Sequence, residues 1–226
     1  MSAQTPSSRA PRAQALLSRA ARRLRGFHRA DAGIAAVEFA LILPLMVTMY
    51  LGLVSVTMAV NTDRKLTLVS RTISDLTSRS NAAMSDSDLR DIMGAATAVF
   101  APYKASGMTV AIASVYVKDT GTKDAAGKAI VSASICWSTA KTVLSDGTLG
   151  AGTLPSGWGK GQEIKPVPAG FDKPDSTYVM SRVEQQYTPV IGEAVSGKIN
   201  LNETTPWPVR NVPEITLTGN KPCLGT

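Results

Sequence analysis

Past its first 33 residues the chain has no histidine at all; the single one is His28. The body therefore lacks Ser-His-Asp and Cys-His nucleophile pairs and every histidine-based metal site in cis. No glycine-rich loop ending in Lys-Ser or Lys-Thr sits between a strand and a helix, so no phosphate cradle is present. Gly157-Trp158-Gly159-Lys160-Gly161 is glycine-rich, but its setting is that of a turn. Asp86, Asp88 and Asp91 cluster in sequence as helix-start acids do, rather than as calcium ligands. Nothing marks a Ser-Lys dyad. These absences point away from an enzyme, and no cofactor or metal is expected. Aromatic residues are scarce at 5% and charged ones modest at 18%, yet 44% of residues are apolar, which is a globular and not a disordered composition. The length suits one ordinary domain plus an anchor.

Acidic residues are almost missing from the N-terminus. Residues 1–33 carry seven arginines (Arg9, Arg12, Arg19, Arg22, Arg23, Arg25 and Arg29) against Asp31 alone, a net +6 of the chain's +7. The body is thus nearly neutral. It has no basic character for nucleic acid to recognise, and no nucleic-acid partner is expected. An arginine-rich leader directly before an apolar run is a topology signal instead. Residues 34–60 contain one side chain charged at neutral pH, Glu38. Roughly 20 apolar residues cross a bilayer core of about 30 Å as helix, so the run suffices. It is too long for the apolar region of a cleaved secretory signal. The expected organisation is a basic cytoplasmic leader (1–33), a transmembrane helix (34–60) in contact with membrane lipid, and a periplasmic domain (61–226). The expected protein is single-pass, and a bacterial inner membrane is its expected location. Pro44 removes one helical hydrogen bond and marks a kink, although membrane helices also tolerate proline. Glu38 is either solvated at the interface or paired, because a lone carboxylate in a span is costly. Cys136 and Cys223 stay reduced in a cytosol and pair outside it; the periplasmic assignment makes them a disulfide.

The residues around Glu38 carry a resemblance. A basic leader ends in Gly33, an apolar helix begins at Ile34, Glu38 and Phe39 are its fifth and sixth residues, and Pro44 follows. This pattern is similar to the class III signal of type IV pilins. Ala35-Ala36-Val37-Glu38-Phe39-Ala40-Leu41-Ile42-Leu43-Pro44 more narrowly resembles the TadE-like family of tight-adherence (Tad/Flp) pilus systems, with strong similarity over residues 31–50. Tyr187-Thr188-Pro189 and the late Arg210 and Pro213 are similar to short elements of the same family. The resemblance implies a TadE- or TadF-type minor pilin, or pseudopilin. It implies cleavage by a prepilin peptidase between Gly33 and Ile34. It also implies an assembly role for Glu38 and Phe39, with Glu38 setting register against the new α-amine of a neighbour. Implied partners are the prepilin peptidase, other minor pilins, the major Flp-type pilin and an inner-membrane assembly platform, with possible incorporation into a surface pilus. The alternative is an uncleaved, membrane-tethered periplasmic adaptor of such a machine.

The remainder reads as α+β: a long N-terminal transmembrane and amphipathic helix, a second helix, then an antiparallel sheet, an order compatible with a pilin-like shape. Leu66, Val69, Ile73 and Leu76 recur on one helical face, extending the first helix to about Ser78. Ser85 and Asp88 form a capping-box signal for a second helix with Leu89, Ile92, Met93, Ala96, Val99 and Phe100 on its apolar side, stopped by Pro102 and Gly107. Strand signals occupy 108–117, 129–137 and 177–190, with a short one at 215–218 and extended edge structure over 196–213. Residues 118–128 are expected to be a long hairpin loop, and 141–176 an irregular surface loop.

Overall fold

A computed structural model describes residues 32–189 and 197–224. The arginine-rich leader and His28 lie outside the described residues. Contacts divide the chain into a unit ending at Leu53 and one beginning at Val54. Helix α1, Ala32–Ser78, contributes to both and is helical through Pro44. In the second unit its apolar face buries Leu66, Val69 and Ile73 completely, as their spacing predicts; Leu76, at the rim, stays 38% exposed. The end of α1 is closed from the far end of the chain. The Arg210 amide donates to the Ser78 carbonyl at 3.2 Å, and the Asn211 side chain donates to the Arg79 carbonyl at 2.9 Å. Carbonyls that a helix terminus leaves without partners are satisfied in this way.

A two-residue strand β1, Ala83–Met84, leads into helix α2, Asp86–Phe100. Ser85 caps α2: the Asp88 amide donates to Ser85 Oγ, and the Asp88 carboxylate accepts the Ser85 amide, a complete capping box. The Ser85 hydroxyl, which donates to the Asp88 carboxylate at 2.6 Å, and the Ser85 amide hold that carboxyl below its ordinary range. Leu89, Met93, Ala96 and Phe100 form the buried stripe.

The sheet contains β2 (Thr109–Lys123), β3 (Ala129–Val143), β4 (Leu149–Ala151), β5 (Glu163–Ile164), β6 (Ser176–Tyr187) and β7 (Ile199–Pro208). Its order is β4-β3-β2-β6-β7, antiparallel throughout, with β5 also paired to β3. A last strand, β8 (Thr216–Leu217), pairs in parallel with β1. The fold is therefore α+β. One sheet face packs on α1 and α2 through Val110, Ile112, Trp137, Val143, Val179 and Val183. The other face buries Ala111, Ala113, Val115, Ala133, Ile135, Tyr178 and Met180 beneath Trp158, Ile164, Val167 and Phe171.

Two expected loops are shorter than the sequence suggests. Residues 118–123 continue β2 as a strand exposed on both faces, so no apolar alternation marks them. The chain turns only over 124–128, where Asp124 Oδ1 accepts the amides of Ala126 and Lys128 and Gly127 has φ 81°. Residues 141–176 are partly ordered into the end of β3, a second hairpin with β4, and β5.

Candidate membrane and assembly segment

From Gly33 to Tyr50 every residue of α1 is exposed, although nearly all are apolar. The helix is long and apolar enough to cross a membrane, and its most apolar stretch buries nothing. A surface of this kind has no stable place in water, so it needs a non-aqueous or protein partner. Ile34 is 58% and Phe39 62% exposed. Glu38 is exposed and has no ion-pair partner among the described residues. Pro44 lies within the helix and gives no N–H to the carbonyl four residues before it. A Cβ added at Gly33 would meet nothing within 4 Å, and Gly33 is helical. The fold itself has no need of glycine there, where alanine would favour helix by about 1 kcal/mol.

Further along α1, small hydroxyl side chains sit where the helix meets the sheet. Ser70 Oγ lies 2.9 Å from both Ser181 Oγ and Thr205 Oγ1. Ser74 Oγ lies 2.8 Å from Ser181 Oγ and donates to the Thr205 carbonyl. The three serines are fully buried. Each hydroxyl satisfies the others, which is the condition for burying polar groups at a close helix–sheet approach. The sequence signal for this cluster, serines four apart on an otherwise apolar face, is too weak to predict it.

Residues late in the chain brace both ends of this docking. Tyr187 Oη donates to the Ser55 carbonyl at 3.2 Å. Arg210 faces Asp75 at 3.4 Å and lies over the Trp207 ring. The Pro213 carbonyl accepts the Thr177 hydroxyl.

Cys136 and Cys223 form a disulfide. Their sulfurs and the Glu214 carboxylate lie within 4.8 Å of one another, a grouping with the donor atoms of a metal site. The chemistry is otherwise assigned: the sulfurs are bonded to each other, and the two Glu214 oxygens accept the amides of Cys223 and Leu224 at 2.7 and 2.9 Å. Glu214 is 6% exposed, and these bonds compensate its burial. The cluster is a latch on the C-terminal segment.

Elsewhere the surface offers an open hollow lined by Arg182, Glu184, Gln185, Gln186, Asn200 and Asn202. Arg182 is paired to Glu184 at 2.7 Å within it.

No curated protein and no solved structure matches the chain. The family model described as TadE-like protein matches residues 33–74, the stretch of α1 that holds Gly33, Ile34, Glu38, Phe39, Pro44, Ser70 and Ser74. Over that helix the chain is similar to the TadE-like family.

Proposed function

We propose that this chain is a minor pilin, or pseudopilin, taking part in assembly of a Tad-type adhesion pilus. One observation carries the reading: the unburied apolar stretch of α1, Gly33 to Tyr50, begins with a glycine the fold does not require and bears one carboxylate, Glu38, inside the segment matched to the TadE-like family. A glycine with no structural duty fits a recognition site, since an extended chain in a protease cleft favours the residue with least steric restriction. Cleavage between Gly33 and Ile34 leaves the helix in the membrane with a new α-amine on Ile34. Glu38 of a neighbouring subunit pairs with that amine and sets register in a bundle of such helices, where Phe39 joins the packing; a buried charge pair contributes specificity more than net stability. The arginine-rich leader keeps the N-terminus cytoplasmic and the folded domain periplasmic. The partners in this reading are membrane lipid, the prepilin peptidase, other minor pilins, the major Flp-type pilin and the assembly platform. The protein has no catalytic role.

A second reading, an uncleaved membrane-tethered adaptor, is favoured by the helix beginning at Ala32 and continuing through Gly33, because a helical peptide bond is a poor protease substrate. The N-terminal mass of the protein from cells with an active prepilin peptidase separates the two. A chain beginning at Ile34 is the expected result, and Gly33→Phe should abolish it. Intact N-termini alone would leave the adaptor.

A further inference from the structure

We propose that Cys136, Cys223 and Glu214 form a second latch when the disulfide between the cysteines is open: a site for one zinc ion. The three side chains come from separate stretches of chain. Cys136 is on β3, Glu214 precedes β8, and Cys223 follows it. Their donor atoms lie within 4.8 Å of one another. Zinc holds thiolate sulfur at about 2.3 Å and carboxylate oxygen at about 2.1 Å, so tetrahedral donors stand roughly 3.5–4 Å apart. Closing the trio onto a cation takes shifts of about an ångström rather than a new fold. Thiolate donors select zinc over magnesium or calcium, which take oxygen.

Glu214 is already aimed. It is buried, and its oxygens accept the amides of Cys223 and Leu224 at 2.7 and 2.9 Å. An ionised carboxylate has about four acceptor sites, so about half remain open. No basic side chain pairs with it among the described residues. The amides therefore fix the carboxylate without supplying a positive charge. Opening the disulfide sets two thiols beside it, and the incoming cation displaces their protons to solvent. Two thiolates, one carboxylate and a divalent cation sum to a single negative charge, the same as one carboxylate beside a disulfide. The exchange buries no additional charge, and added charge is the main cost of burying ions. Cys136 is buried and Cys223 half-buried, so a water completing the tetrahedron enters beside Cys223. Held this way, the C-terminal segment stays fastened to β3 in the reduced chain as in the oxidised one.

The test uses the full chain in dodecyl maltoside under argon. A water-soluble phosphine reduces the disulfide to two thiols, takes oxygen from water to become the phosphine oxide, and is removed. Co(II) is then added as the probe. One cobalt per chain should bind, with an intense thiolate-to-cobalt band in the near ultraviolet and the visible bands of tetrahedral cobalt. Zn(II) should displace both, and the oxidised chain should show neither. Cys136→Ser should remove the tetrahedral spectrum. Glu214→Gln keeps both thiols and nearly the same shape. Losing even an outer partner of a metal ligand costs about 10–100-fold in affinity, so this variant should weaken cobalt binding by roughly tenfold or more. It also decides the case in which reduction loosens the fold, because a chain that binds through its thiols alone is indifferent to residue 214. A reduced chain with no cobalt spectrum, or a Glu214→Gln chain that binds as tightly as wild type, overturns the inference.

Discussion

The hydroxyl of Ser70 on α1 lies 2.9 Å from that of Ser181 on β6, with no solvent contact at either residue. Ser181 is the hub, since it also faces Ser74 Oγ and donates to the Ser70 carbonyl at 2.7 Å. Ser181→Ala removes the shared partner but leaves Ser70 and Ser74 their contacts to Thr205. A loss of about 1–2 kcal/mol follows, within the range for unmade buried hydrogen bonds. Ser181→Leu should cost more, because it also forces α1 away from the sheet. Urea midpoints in detergent measure both, and an unchanged midpoint for Ser181→Ala would mean the network does not support the docking.

Cys136 reaches Cys223 only because β3 breaks its own alternation. Trp137 pairs with Ser114 and Ile135 with Val115, so Cys136 is the extra residue of a β-bulge. Cys136 and Trp137 consequently share the helix-side face, where Trp137 Nε1 donates to the Ile215 carbonyl at 2.7 Å. For a separation of 87 residues, chain entropy alone assigns the crosslink about 4–5 kcal/mol. The double variant Cys136→Ser, Cys223→Ser should lose stability of that order in urea. In exported wild-type protein, neither cysteine should react with a maleimide before reduction. Two reactive thiols would contradict both the crosslink and the compartment.

Glu214→Ala probes the other half of the latch. The disulfide still holds Cys223, so the global midpoint should move little. Hydrogen exchange at the Cys223 and Leu224 amides should accelerate, because both lose their acceptor. Unchanged protection would show that the carboxylate is dispensable.

Tyr178 supplies a pH dependence. Its ring is buried against Phe171, its hydroxyl has no partner among the described residues, and burial pushes its pKa from near 10 up to about 12. Between those values the unfolded chain has released a proton that the folded chain keeps. Stability is therefore fully present below about pH 10 and falls as pH rises through about 12. Tyr178→Phe deletes an unsatisfied buried hydroxyl at constant shape, so it should be neutral or stabilising at pH 7 and should flatten that alkaline decline. A wild-type profile with no fall over this window would reject the assignment.

The helices were legible because their signals are local: apolar spacing at Leu66, Val69 and Ile73, and a capping box at Ser85 and Asp88. The α+β order followed from them and from the β-branched runs. The outer end of β2 was hidden because Lys118 to Lys123 face water on both sides, so composition there resembles a loop. The facing of Cys136 was hidden because a bulge depends on cross-strand register, which adjacent residues do not encode. The contact of Tyr187 with Ser55 was hidden for a related reason, since it depends on how β6 lies along the helix. The residues of the candidate segment, Gly33 through Pro44, were legible as a motif, since their requirement lies outside the folded chain.

Glu38→Gln separates the two roles open to that carboxylate. At the headgroup level, glutamine solvates as well as glutamate and fits the helix equally, so a purely interfacial role makes the substitution silent. In the assembled bundle, the amide keeps the shape but removes the charge, leaving the neighbour's Ile34 amine buried without its partner. Breaking one side of a buried pair costs about 3–5 kcal/mol, enough to reduce incorporation by two orders of magnitude or more. The expected outcome is a normal mature mass beginning at Ile34 together with a loss of pilus-dependent surface adhesion. Both quantities should be measured on one strain, because a processing defect would also lower adhesion. Normal mass with normal adhesion rejects the pairing and leaves Glu38 an interfacial residue; altered mass would place its role in recognition by the peptidase instead.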